Sequence, residues 1–172
     1  MQGQLLRDKI ANDVHHDIDM HATFLESVAK GNILEIGVRT GISTAAMLLG
    51  LELNGGHLYS LDISPDCVQA IGQHPQWTFI PADSKQVGEV LSRIPATLDI
   101  LFIDGDHSYE GVKHDLDNYG FLVQSGGSIV CHDVLSGYDP GVRQAFDEFI
   151  SATKWEAEIF PSWVGLGRIL VP

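Results

Sequence analysis

The sequence predicts an α/β fold in which a doubly wound, mostly parallel sheet of seven strands is covered by helices on both faces. Three observations carry this. Short, continuously apolar strands alternate with helical segments, which is the pattern of a parallel sheet buried on both sides. Glycines and acids cluster where the strands end. The last stretch changes character and reads as two strands joined by a short loop. With 172 residues, 44% of them apolar, the chain can form one domain with a substantial core, so a single domain over 1–172 is expected.

The elements follow in order. The pattern is helical over residues 11–29, then comes a strand at 33–36 and a helix at 42–53, which Asn54-Gly55-Gly56 stops. A strand occupies 58–62. Ser64-Pro65-Asp66 opens a further helix through Ile71, residues 77–81 read as a strand, and 84–92 as a helix. Residues 98–103 are a strongly apolar strand. A helix at 109–122, the turn Ser125-Gly126-Gly127, a strand at 128–131 and a helix at 142–153 complete five strand–helix units. Residues 155–160 and 164–171 are the two last strands, on either side of Pro161-Ser162.

Composition narrows the partners. A formal charge of −13 and a pI near 4.7 argue against a nucleic-acid backbone or an anionic membrane, both of which attract basic surfaces. A small-molecule partner is favoured. Cys67 and Cys131 are too few for a disulfide scaffold and are expected as packed thiols in a reducing compartment. The N-terminus lacks the apolar core of a signal peptide and no run is long enough to span a bilayer, so the expected location is cytoplasmic.

The most informative stretch is Asn32-Ile33-Leu34-Glu35-Ile36-Gly37-Val38-Arg39-Thr40-Gly41, an apolar strand running into a loop with an acid and two glycines. Glycines at 37 and 41 let the backbone turn sharply and approach a ligand at the N-terminus of the next helix. Dinucleotide sites usually read G-x-G-x-x-G, and here Glu35 replaces the first glycine. A carboxylate there would repel a pyrophosphate and suit a ligand with an amine or a sulfonium. Asp62 ends the next strand, roughly 20 residues on, where Rossmann-like sheets place a carboxylate for ribose hydroxyls. The plainer alternative is that the glycines only end a strand and cap a helix, with Asp62 in a surface turn.

These two motifs together resemble the class I S-adenosylmethionine-dependent methyltransferases. The resemblance implies a Rossmann-like seven-stranded sheet closed by a C-terminal antiparallel pair. It implies that Glu35 and the loop residues Gly37, Val38, Arg39, Thr40, Gly41 and Ser43 hold the donor's amino-acid end. Asp62 and Ile63 would meet its ribose, and Ala82, Asp83 and Ser84 its adenine. Asp83 or Ser84 can equally cap a helix.

Two adjacent strand ends carry acids and imidazoles: Asp104-Gly105-Asp106-His107-Ser108-Tyr109-Glu110 and Cys131-His132-Asp133. Carboxylates suit hard cations such as Mg²⁺, and an imidazole widens the choice to Mn²⁺, Fe²⁺ or Zn²⁺. The arrangement resembles the divalent-metal O-methyltransferases of the catechol, caffeoyl-CoA and macrocin types, which implies a metal on Asp104, His132 and Asp133. Histidine at 132 departs from the acid usual in those families. His107 stands where the catechol type has a basic residue, and an ordinary imidazole is mostly neutral near pH 7, so His107 is the expected general base beside Asp104. The alternative is that Asp104, Asp106 and His107 only cap the helix beginning near Tyr109.

The phrases over residues 34–44 and 103–112 are similar to those of the methyltransferase-24 family, and the likeness covers nearly the whole chain. Asp17-Ile18-Asp19-Met20-His21 matches a phrase of its N-terminal helix, which implies that the segment 1–30 packs near the donor site, with His21 over the donor. His15, His16 and His21 do not share one helical face and make a poor chelating set.

The expectation is therefore an enzyme that moves a methyl group from S-adenosylmethionine to an oxygen of a small acceptor, a sugar or a phenol, with or without a divalent cation. The short chain leaves little material for a substrate lid, which a homodimer partner could supply. The rivals are a nicotinamide-dependent oxidoreductase, disfavoured by the lost glycine and the terminal strand pair, and a non-catalytic binding domain, disfavoured by the acid and histidine cluster.

Overall fold

The computed structural model describes residues 2–12 and 19–172. His15, His16, Asp17 and Ile18 lie outside the described residues. Helices α1 (Gln2–Ala11) and α2 (Asp19–Val28) lead into β1 (Gly31–Ile36), α3 (Ile42–Asn54), β2 (Gly56–Asp62), β3 (Trp77–Pro81), α4 (Val87–Leu91), β4 (Leu98–Ile103) and α5 (Tyr109–Tyr119). The chain continues through β5 (Val123–His132), α6 (Pro140–Thr153), β6 (Glu156–Phe160) and β7 (Leu166–Leu170). The strands form one seven-stranded sheet in the order β3-β2-β1-β4-β5-β7-β6. The pairs among β1 to β5 are parallel, and β7 runs antiparallel to both β5 and β6.

The strands are apolar throughout because alternate residues enter two different cores. Ile33, Leu58, Ile100, Phe102 and Val130 pack with α1, α2 and α3 on one face. Leu34, Ile36, Leu61, Leu101, Ile103 and Ile129 pack with α4, α5 and α6 on the other. No described helix is long and apolar enough to cross a membrane.

Several boundaries differ from the sequence expectation, each for a local reason. The helix expected at 11–29 is two helices, α1 and α2. In α1 Leu6 is the buried anchor among polar neighbours, so the segment shows little apolar periodicity. The helix expected after Ser64 is a 3₁₀ turn, Pro65–Ala70, in which Cys67 alone is buried. α4 begins at Val87 because residues 83–86 form a turn, with Asp83 accepting from the Lys85 and Gln86 amides. α5 ends at Tyr119 and tightens into a 3₁₀ turn, Gly120–Leu122.

The turn expected at Ser125-Gly126-Gly127 lies inside β5. Leu98 pairs with Val123 but Ile100 pairs with Ser128, so extra residues of β5 bulge against β4. Gly126 supplies φ 81°. A Cβ at Gly127 would lie 2.5 Å from the Asp99 carbonyl oxygen, so the bulge has room only for glycine there.

Candidate active site

The strand order reverses about β1 and β4, and in an open parallel sheet the crevice beyond the strand ends at that point is where a ligand enters. Gly37 N–H donates to Leu61 O at 2.9 Å and Asp104 N–H to Ile36 O at 2.8 Å, which holds the ends of β2, β1 and β4 side by side. A Cβ on Gly37, at φ 95°, would come within 2.2 Å of Asp104 O, so only glycine lets the two loops cross this closely. A cavity of about 500 Å³ opens here. Gly37, Arg39, Asp62, Ile63, Ala82, Asp83, Ser84, Asp104 and His107, all singled out from the sequence, line it. Val38, Thr40 and Ser43 instead line a smaller pocket of about 40 Å³ next to it, shared with Asp104, His107, His132 and Asp133. Gly41 lines neither and forms the left-handed N-cap of α3, at φ 78°.

Asp62 is fixed by the backbone around it. Its Oδ2 accepts from the amides of Val38 at 2.9 Å and Arg39 at 3.0 Å, and Oδ1 accepts from Ser64 N–H at 2.8 Å. Burial would raise the pKa of this carboxyl, but the amide hydrogen bonds outweigh it and hold the group below the ordinary aspartate value. The carboxylate thus stays charged at the cavity wall while holding the glycine loop in place.

Glu35 corrects the sequence reading. It was expected at the donor's amino-acid end, yet it is fully buried beneath the loop and outside the cavity. Ser43 and Thr44 from α3 donate to its two oxygens at 2.5 and 2.8 Å, and Ser60 from β2 adds a third bond at 2.5 Å. Trp77 Nε1 donates to Ser60 Oγ at 2.9 Å. Desolvation pushes the Glu35 pKa up to about 7, partly offset by the three hydroxyls. Its place is that of a pin between β1, β2 and the first turn of α3.

On the β3 side, Ala82, Asp83 and Ser84 line the cavity. Lys85 and Asp106 also line it, and neither Lys85 nor its pairing was visible in the sequence. Their side chains meet across the mouth at 3.2 Å. Beneath the loop, Tyr119 OH donates to Ser84 O at 2.5 Å. Asp115 of α5 is 1% exposed, and burial pushes its pKa up to about 6 against the opposing effect of the Ser84 side chain.

The acids and imidazoles of β4 and β5 do converge. His107 Nε2 lies 3.3 Å from Asp104 Oδ1, and His107 Nδ1 lies 3.5 Å from Asp133 Oδ2 and 3.9 Å from Asp139 Oδ2. Asp133 reaches the cluster from a left-handed backbone, φ 63°. His132 Nδ1 lies 2.9 Å from Asp133 Oδ2 and 3.3 Å from Asp104 Oδ1. Helix capping is the work of another residue: Ser108 Oγ accepts from Gly111 N–H at 3.0 Å at the N-terminus of α5.

The charges respond to this crowding. Hydrogen bonding to Asp104 raises the His107 pKa above the ordinary histidine value, against the opposing effect of burial. The raised pKa works against the neutral imidazole that a general base needs. Burial alone would lower His132, but its bonds to Asp104 and Asp133 push it up to about 10. Asp104, which burial would raise, is held below the usual range by the two imidazoles.

The donor chemistry fits a divalent cation. Asp104, His107 and Asp133 each offer a ligand atom, and these atoms lie within 4.8 Å of one another. His107, expected as base, stands in this set, whereas the sequence named His132. His132 meets the same carboxylates from behind. His21, expected over the donor, does not line the cavity and instead contacts His132.

A seven-stranded sheet with a reversed last strand and a ligand crevice between β1 and β4 defines a methyltransferase-type α/β fold. Residues 34–134 match the methyltransferase-24 family model, described as a methyltransferase domain, and the chain belongs to that family. An uncharacterised protein of Acanthamoeba polyphaga mimivirus, R132, is 38% identical over 63 residues, which are 36% of this chain and 28% of the viral one. A protein of Mycolicibacterium smegmatis, provisionally named an O-methyltransferase, is 27% identical over 154 residues, covering 81% of this chain and 68% of its own. The chain thus spans about a quarter of the viral relative and two thirds of the bacterial one. In fold it resembles the O-methyltransferase of Bacillus cereus solved in complex with SAH, with a TM-score of 0.74, 17% identity, and 98% and 90% of the two chains covered.

Proposed function

We propose that this chain is an S-adenosylmethionine-dependent O-methyltransferase acting on a small hydroxylated acceptor, a sugar or a phenol, with help from a divalent cation. The observation that carries the reading is the direct adjoining of two unlike sites. A cavity walled by Asp62 and residues 82–84 shares Asp104 and His107 with the cluster of Asp104, His107 and Asp133. The relatives' names point the same way, and the family is one of methyltransferase domains.

In this reading the loop 37–41 holds the donor's amino-acid end and Asp62 its ribose hydroxyls, with the adenine against Ala82, Asp83 and Ser84. Glu35 acts indirectly, by pinning the loop and α3. Asp104, His107 and Asp133 hold the cation, with His132 supporting the two carboxylates. When bound, a divalent cation would lower the pKa of the acceptor hydroxyl and orient its oxygen. A sulfonium is already an activated methyl donor, so the remaining task of these side chains is to hold the oxygen in line behind the methyl group.

A second reading, transfer without a cation, is supported by the Asp104–His107 pair at 3.3 Å, in which the carboxylate orients an imidazole toward the donor cavity. One experiment separates the two: labelled methyl transfer to a panel of sugars and phenols, with exhaustive chelation and then Mg²⁺ or Mn²⁺. The cation reading expects chelation to abolish transfer and the metal to restore it. Unchanged turnover under chelation selects the second reading, and no transfer to any hydroxylated acceptor rejects both.

A further inference from the structure

Beyond the donor cavity, a line of hydrogen bonds ends on the acid–histidine cluster. His132 turns Nδ1 toward Asp133 and Asp104. Its other nitrogen, Nε2, lies 3.2 Å from Nδ1 of His21, with the two rings edge to face and their centroids 5.1 Å apart. His21 Nε2 in turn meets the Ser162 hydroxyl. Both imidazoles are almost wholly buried, at 4% and 3% exposure. The line joins α2, the end of β5 and the turn between β6 and β7, which are remote in sequence.

Proton counting says what each contact needs. Carboxylates only accept, so the His132 ring carries a proton on Nδ1, directed at Asp133 and Asp104. Between the two facing nitrogens, His132 Nε2 and His21 Nδ1, one carries a proton and the other the lone pair, so a single hydrogen bond couples the rings. The link to a cation rests on the proposed function, in which Asp104, His107 and Asp133 hold it and His132 supports the two carboxylates.

We propose that His21 is the positioning residue of His132: with Ser162 behind it, it holds the His132 ring so that Nδ1 stays on Asp104 and Asp133. In that arrangement His132 is an outer-shell partner of two ligand carboxylates, and loss of such a partner typically weakens metal affinity roughly tenfold to a hundredfold. The N-terminal helix α2 thereby contributes to the acceptor half of the site rather than to the donor cavity.

The test uses the whole chain, the variants His21→Asn and His21→Phe, and Mn²⁺ as the probe. Asparagine keeps an acceptor near the place of Nδ1, and phenylalanine keeps a ring without one. In metal-free wild type, long-range ¹H–¹⁵N spectra should show a slowly exchanging Nδ1–H on His132. That proton should persist in His21→Asn and exchange rapidly in His21→Phe. By calorimetry, Mn²⁺ affinity should fall roughly tenfold to a hundredfold in His21→Phe and stay close to wild type in His21→Asn. A His132 Nδ1–H as well protected in folded His21→Phe as in wild type overturns the proposal, as does folded His21→Asn that loses the signal as completely as His21→Phe. Wild type with the expected His132 proton but no Mn²⁺ binding would support the positioning role while rejecting the cation of the proposed function.

Discussion

The two halves of the site are built by different means. The half proposed for the donor, at the ends of β1, β2 and β3, is made mostly of backbone: amides of Val38, Arg39 and Ser64 gather on Asp62, and the glycine loop lies over the pinned Glu35. The half proposed for the acceptor, at the ends of β4 and β5, is made of side chains, with Asp104, His107, His132 and Asp133 crowded together. Backbone donors set by a sheet hold their geometry whatever binds. Crowded ionisable groups depend on their counter-charges, so this half should respond most to metal and to substitution.

The largest expected effect separates the halves directly. Asp133→Asn keeps a residue that tolerates the left-handed backbone but removes a ligand charge. It should lower methyl transfer by about a hundredfold while leaving the affinity for S-adenosylhomocysteine near wild type. His107→Asn should do the same without lowering the melting temperature, because Ser108 is the cap of α5. Parallel loss of donor affinity in both variants would show that the halves are not separable.

Asp62→Ala is the counterpart on the donor side. Losing a charge-assisted hydrogen bond costs about 1.5 to 3 kcal/mol, so donor affinity should fall roughly tenfold to a hundredfold. Since Asp62 also gathers three amides, the melting temperature should fall with it. A variant that keeps its donor affinity while melting earlier would reduce Asp62 to a loop anchor.

A smaller effect concerns the carboxyls buried beside the donor half. Glu35 is raised to about 7 and Asp115 to about 6, so the folded state binds their protons more tightly than the unfolded chain does. Each contribution to stability is fully present below the unfolded pKa and is lost as pH rises through the folded one. For Glu35 the window runs from about 4.5 to about 7, and one pKa unit corresponds to about 1.4 kcal/mol. Denaturant titrations of wild type and Glu35→Gln should show wild type gaining on the variant as pH falls through that window, and Asp115→Asn should repeat the pattern between about 3.8 and 6. A difference independent of pH would mean that neither carboxyl is strained in the fold. The smallest change belongs to Lys85→Ala, whose partner Asp106 is half-exposed; such pairs contribute little, and donor affinity should barely move.

The sequence carried the sheet because apolar runs, glycines and acids are local signals, and the cavity-lining residues at 37, 39, 62, 63 and 82–84 follow from their position at strand ends. What it missed is set by contacts across the fold. β1 is buried on both faces, so no alternation marks Glu35 as turned inward toward Ser60 and Thr44. Gly126-Gly127 reads as a turn when it is a bulge, because the decisive neighbour, Asp99, lies on another strand. That His107 stands in the ligand set with Asp104 and Asp133 is set by how two strand ends pack, and the Lys85–Asp106 pair joins two loops with no shared motif. His21 was singled out, but its partner His132 is far away in the chain.

The central claim is that the donor half binds a methyl donor without help from the acceptor half. Calorimetry with S-adenosylhomocysteine and with NAD, on wild type held in excess chelator, tests it most directly. The account predicts S-adenosylhomocysteine binding that is insensitive to Mg²⁺ or Mn²⁺, lost progressively in Asp62→Ala, and no tight binding of NAD. Tight NAD binding with none to S-adenosylhomocysteine or S-adenosylmethionine would contradict it.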